Sequence, residues 1–190
     1  MRDPKEMLHE YLQRSRDVML WKLEGLPERE LRWPHTPTGT NLLGLVKHLA
    51  GVELGYFGET FGRPSPVALA WMSEDAEDNA DMWATAEESV EDVVGLYRRA
   101  WALSDATIAE LDLDSPGRVP WWRAGDVTLH HILVHVIAET SRHAGHADIV
   151  REQIDGAAGL RVGATNLPGR GERWWAEYVE RLKEVADGAR

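Results

Sequence analysis

The chain has 190 residues, enough to bury a real core, and at 43% hydrophobic and 28% charged it has the composition of one globular domain spanning 1–190. A formal net charge of −11 argues against nucleic acid as a partner, since phosphate recognition needs a basic patch. The absence of cysteine excludes disulfides, thiolate metal sites and a cysteine nucleophile. No apolar run approaches the roughly 20 residues that cross a bilayer and no leader-like segment opens the sequence, so the expectation is a cytoplasmic protein without a membrane partner.

Asp3-Pro4 reads as a helix start, and Leu8, Tyr11, Leu12, Ser15, Val18, Met19 and Leu23 repeat near 3.6 residues, predicting a helix over about 4–24. Leu26–Leu31 suggests a short helical turn, and Trp33–Thr40 is a connection dense in breakers. A second long helix is expected from Thr40 or Asn41 to about Phe57, with His48 inside its apolar stripe of Leu42, Leu45, Val46, Leu49 and Val52. Gly58–Thr85, with Pro64, Pro66 and the acidic run Glu74, Asp75, Glu77, Asp78 and Asp81, reads as an exposed, solvated crossover with room for one short helix. Thr85-Ala-Glu-Glu88 has capping-box spacing before a third helix that reaches Leu111, and Asp112–Val127 is expected to be a loop carrying Arg118, Trp121, Trp122 and Arg123. There is little strand signal.

Thr128 to Gly156 then predicts one uninterrupted helix, with Thr128 as N-cap and Gly156 where a left-handed C-terminal cap belongs. At about 100° per residue, with His135 at zero, Glu139 lies near 40°, His143 near 80° and His146 near 20°. Ile132, Val136, Val150 and Ile154 share that sector, so four ionisable groups fall in the middle of the apolar face. Such groups cost several kcal/mol in a core unless paired or bound to metal. A loose segment follows to Gly171, and Trp174, Trp175, Tyr178, Val179, Leu182 and Val185 outline a final amphipathic helix. The architecture expected is all-α: a four-helix bundle with a long crossover connection and an additional C-terminal helix.

Glu139 and His143 are spaced four apart on one face, close enough to share a metal, and His48 is the one histidine on the inner stripe of another long helix. Two imidazoles and a carboxylate from two bundle helices suit catalytic zinc or a non-haem iron triad, with open positions for water or substrate. The alternative is a hydrogen-bonded core cluster in which Glu139 pairs with a protonated histidine.

The stretches Val46-Lys-His48-Leu-Ala-Gly-Val-Glu53 and Glu139-Thr-Ser-Arg-His143-Ala-Gly-His146, with the closing Glu172–Tyr178, resemble the DinB-like superfamily. The likeness is to the branch that contains mycothiol-dependent maleylpyruvate isomerase and related actinobacterial proteins. An Arg to Lys ratio of seventeen to four agrees with a GC-rich bacterial genome. The resemblance implies a bundle with crossed connections, a divalent metal, usually zinc or nickel, and His48, Glu139 and His143 as its ligands. Many relatives place two histidines four apart in the last helix; here Glu139 takes the first position, as in the isomerase branch.

The remaining candidates each have two readings. His135 is a fourth ligand or proton carrier, or else a hydrogen-bonded group behind the ligands; His146 is a general base or structural. Arg118, Trp122 and Arg123, with Trp121, shape a pocket mouth that attracts an anionic substrate, or their loop is a lid on the core. Glu53 supports a ligand or is solvated, and His9, His35, His130 and His131 are surface residues. The function expected is a metal-dependent transferase or isomerase that activates a low-molecular-weight thiol, mycothiol being the candidate cosubstrate, for attack on a small electrophile. A metal-dependent hydrolase and a non-enzymatic binding protein are the alternatives. A homodimer is expected from exposed apolar helix faces and surface tryptophans.

Overall fold

Asp3 accepts a hydrogen bond from the Lys5 amide and Pro4 presets the first helical φ, so α1 begins where the sequence places it and runs Pro4–Trp21. The computed structural model describes residues 2–65, 67–73 and 75–189; Pro66 and Glu74 of the crossover lie outside the described residues. A short α2 follows at Glu28–Arg32, then α3 at Leu42–Glu53, where Asn41 caps the Gly44 amide. The chain continues without a break into a π-helical turn, Leu54–Gly58. The described residues of the crossover contain three 3₁₀ turns, at Glu59–Phe61, Ala70–Met72 and Ala80–Met82, where the sequence predicts one short helix.

Helix α4 spans Val90–Glu110 and starts later than the Thr85 capping box predicts. Glu88 does accept from the Thr85 amide at 2.8 Å, but its Oε2 also binds Lys47 Nζ at 2.8 Å, which ties the turn to α3. The helix takes its capping box from Ser89 and Asp92. The expected 112–127 loop contains a small antiparallel hairpin, β1 Pro116–Arg118 paired with β2 Asp126–Thr128, with Gly117 opposite Val127. Three-residue strands, one opening on proline, carry too little alternation to be read from sequence. Thr128 then caps α5, Leu129–Asp155, and Gly156 closes it at φ 77°. The last helix, α6, runs Glu172–Gly188 and buries none of its residues.

In the bundle, α1 lies between α4 and α5, and α3 lies between α5 and α4. This is the all-α DinB-like architecture. Its core is in two parts. Met19, Leu45, Leu49, Tyr97, Ala100 and Ala147 belong to one apolar cluster, and Leu12, Phe57, Ile108, Leu129, Ile132 and Val136 to the other. Each of the four long helices also buries a polar residue: Arg16, Glu53, Ser104 and Thr140. Arg16 and Glu53, both fully buried, form a two-point ion pair at 2.8 and 2.5 Å, and Arg16 also reaches Asp105 at 2.7 Å. Glu53 therefore neither supports a ligand nor is solvated: it is the buried partner of Arg16. Among the described residues no helix is long and apolar enough to cross a membrane.

Candidate metal centre

His48 on α3 faces Glu139 and His143 on α5, and one ligand atom from each lies within 4.8 Å of the others. Glu139 Oε1 is 3.0 Å from His143 Nε2 and 3.5 Å from His48 Nε2. Three ligands held about 2.1 Å from a tetrahedral zinc sit about 3.4 Å apart, so the two separations from Glu139 are already close to the required spacing. His48 Nε2 is buried with no hydrogen-bond partner among the described residues. A buried ring nitrogen facing a carboxylate and a second imidazole is what a divalent ion would satisfy, and N/O/N donors without sulfur suit zinc or nickel. The three residues fit the metal.

Local packing fixes the ligand orientations. Asp81 Oδ2 lies 2.6 Å from His48 Nδ1, so the Nδ1–H donates to the carboxylate and Nε2 is left as the free donor atom. Asp81 sits on the Ala80–Met82 turn, which hydrogen bonds from Asn41 and Lys47 tie to α3. Asn41 Nδ2 donates to the Met82 carbonyl at 3.1 Å, and Lys47 Nζ to the Trp83 carbonyl at 2.9 Å. Gly44, one turn before His48, leaves room for the Met82 carbonyl, which a Cβ there would meet at 1.8 Å. The acidic crossover is thus not simply solvated surface, since Asp81 turns inward.

Burial alone would raise the Glu139 carboxyl, but its hydrogen bond with His143 and the nearby His48 outweigh that and hold it below the usual carboxylate value. Burial, reinforced by His48, holds His143 below the usual histidine value against the pull of Glu139, so it favours the neutral form that a metal requires.

A cavity of about 550 Å³ opens beside the cluster, lined by His48, Asp81, Glu139 and His135 together with Val52, Tyr56, Glu59, Trp71, Met72 and Trp121. Its floor is the His48 face of α3 and the π turn, where Gly51 lies under Trp71 and Gly55 under Trp121. His135 is half-buried, with Tyr56 and Trp122 edge-on at 4.6 and 4.9 Å, and burial lowers its pKa against the pull of Glu139.

The other candidates lie elsewhere. His146 is exposed rather than on the apolar face, its Nδ1 3.4 Å from His143 Nδ1, on the ring edge away from Glu139. Arg118 is exposed and paired with Asp126 across the hairpin at 2.8 Å, and Arg123 is also exposed. Neither arginine lines the cavity, and of the adjacent tryptophans it is Trp121 that does so, with Trp122 packed behind on Tyr56 and His135. His130 and His131 are exposed, whereas His9 bonds Asp105 at 2.8 Å and His35 reaches the Glu30 carbonyl at 3.1 Å.

Sequence reasoning missed Asp81, Tyr56, Trp71 and Glu59. Val52, Gly55, Tyr56 and Glu59 follow His48 at helical spacing and were readable as one stripe. Asp81 and Trp71 sit in aperiodic chain and carried no such signal.

Residues 7–156 match the family model described as Mycothiol-S-transferase. The match ends at Gly156, the C-terminal cap of α5, so α6 lies beyond it. Among solved structures, the chain is similar to one titled as a conserved protein of locus from Enterococcus faecalis. The two share 15% identity and a TM-score of 0.59, over 83% of this chain and 100% of that one, a likeness of fold alone. No curated protein matches.

Proposed function

The chain belongs to the mycothiol-S-transferase family, and from that premise we propose that it is a divalent-metal-dependent transferase acting on a low-molecular-weight thiol, with His48, Glu139 and His143 as the metal ligands. The observation that carries this reading is the His48 Nε2, without a hydrogen-bond partner among the described residues, beside Glu139 and His143 at the wall of a substrate-sized cavity. A divalent ion bound there supplies a Lewis acid that lowers the pKa of a neighbouring thiol toward neutrality. The chain has no cysteine, so the thiol comes from a small molecule, mycothiol in this family.

The protein's own groups then have distinct tasks. Asp81 holds the His48 tautomer, and His146 holds His143 through Nδ1. His135, kept neutral by burial, stands on the same wall and can accept the thiol proton. The aromatic residues of the cavity keep bulk water from the sulfur. Zinc and nickel both suit the donor set, and the setting proposed is the cytoplasm.

The test is a conjugation assay in which zinc- and nickel-loaded protein is offered mycothiol and a panel of electrophiles, with and without thiol. Thiol-dependent loss of electrophile, absent in His143→Ala, is expected. Turnover at the same rate without thiol would instead make the protein a hydrolase using a metal-activated water.

A further inference from the structure

The charges around the cavity specify the second substrate. Among the described residues three carboxylates line it, Glu59, Asp81 and Glu139, and no lysine or arginine does. Lys47, whose Nζ is 5.1 Å from the Trp71 ring, is buried and already bound to Glu88 and to the Trp83 carbonyl. Arg118 is held by Asp126 on the exposed hairpin. A divalent ion offsets two of the three negative charges, and a thiolate adds another. The space left for the electrophile is therefore net negative, and an incoming carboxylate is repelled.

Shape adds a second constraint. Gly51 and Gly55 lie about one turn apart on the floor. A Cβ on either would meet an indole at 2.8 Å (Trp71 Cζ3) or 2.9 Å (Trp121 Cη2), so both indoles rest directly on backbone. Trp71 comes from the crossover and Trp121 from the hairpin loop, and Tyr56 stands edge-on to Trp121 at 5.2 Å. Two electron-rich indoles on the lining, with Glu59 also there, favour flat, electron-poor ligands and positive charge.

We propose that the electrophile is a planar, electron-poor conjugated compound carrying no negative charge, seated between Trp71 and Trp121 with any positive end toward Glu59. This identifies the substrate class for the thiol-transfer reading of the same site and rests on that reading. It also reverses the sequence-based expectation that Arg118 and Arg123 draw in an anion.

The experiment separates binding from turnover. Zinc-loaded protein without thiol is titrated by ligand-observed NMR with three unreactive probes of one shape: 1,3-dinitrobenzene, 3-nitrobenzoate and trimethyl(3-nitrophenyl)ammonium. The anion is expected to bind at least about tenfold more weakly than the other two. Glu59→Gln is expected to cut the cation-to-anion preference several-fold, and Trp121→Ala, at a half-exposed position, to weaken all three about three- to tenfold without unfolding the protein. Equal or tighter binding of 3-nitrobenzoate, no binding of any probe, or insensitivity to both substitutions would overturn the proposal. Charge-selective binding with no thiol conjugation in the separate assay would remove the transferase reading and leave the ligand class standing. Preferred conjugation of carboxylate-bearing electrophiles would do the reverse.

Discussion

Asp81, on an irregular crossover, places its Oδ2 2.6 Å from the Nδ1 of His48, on a helix 33 positions earlier, and thereby decides which nitrogen of that ring faces Glu139. Without the carboxylate the ring is free to change tautomer and to rotate. Asp81→Ala is expected to weaken zinc binding about 10- to 100-fold while leaving the fold intact, since Asp81 is partly exposed and outside the core. Asp81→Asn, which can still accept the Nδ1–H, is expected to recover part of that loss. Competition with a fluorescent chelator measures both, and equal zinc affinity in all three proteins would show that Asp81 plays no orienting part.

The crossover reaches His48 because a glycine lets it. Gly44→Ala would put a methyl 1.8 Å from the Met82 carbonyl, and backbone cannot swing aside as a side-chain tip can. The Ala80–Met82 turn is expected to lift from α3, with a loss of about 1–3 kcal/mol by urea unfolding and a weaker zinc site. Gly51→Ala meets only side-chain ends, those of Trp71 and Met72, and is expected to cost less. If the two variants are equally stable and bind zinc equally well, the contact at Met82 is not what holds the turn.

Metal content provides the direct test of the ligand set. Protein purified without a histidine tag is expected to carry about one zinc or nickel per chain by mass spectrometry, and His48→Ala, Glu139→Ala and His143→Ala are each expected to lose it. Ligand binding stabilises the native state by about 2.7 kcal/mol at a free concentration 100 times the dissociation constant, so zinc is expected to raise the melting temperature of the unaltered chain but not of the variants. If the unaltered chain stays metal-free after incubation with zinc and nickel, the cluster is a hydrogen-bonded core group instead.

How much of this was legible follows from periodicity. Helices α1, α3 and α5 and their caps at Asp3, Asn41 and Thr128 are visible because apolar spacing and capping residues coincide, and His48, Glu139 and His143 are visible because they interrupt apolar stripes. The start of α4 was misread because Thr85 and Glu88 make the expected bond in a turn that Lys47 ties to α3. Asp81 looks like any other acid of its run, and nothing local distinguishes the one that turns inward. Arg16 and Glu53 are 37 residues apart, and only the packing of α1 on its neighbours reveals that each is the other's counter-ion.

The Asp105 carboxyl links this polar layer to pH. Burial would raise its pKa, but hydrogen bonds from His9 and Arg16 outweigh burial and hold it below the ordinary value of 3.8. A carboxyl depressed in the folded state adds stability that is complete above about pH 5 and is lost as pH falls through 3.8 toward the native value, because the unfolded chain takes up the proton first. Asp105→Asn is therefore expected to be less stable than the unaltered chain near pH 7 and to lose less on going to pH 3. Denaturant titrations of metal-free protein at both values measure the difference, and parallel losses in the two proteins would remove Asp105 from the acid response.

Glu53, the buried partner of Arg16, sits immediately before the π turn that forms part of the cavity floor. Both side chains are fully buried, so removing Arg16 leaves Glu53 in the core without a counter-ion, and removing Glu53 leaves Arg16 only its bond to the half-buried Asp105. Glu53→Gln and Arg16→Met are each expected to cost about 3–5 kcal/mol. The double substitution Arg16→Met with Glu53→Leu is expected to cost far less than the sum, since a buried ion pair gains little over well-packed apolar groups of similar volume. If the double variant keeps its stability but binds zinc and planar ligands more weakly, the pair's contribution is to hold α3 in register through Leu54–Gly58. Unaltered zinc and ligand binding in that variant would confine the pair's role to folding.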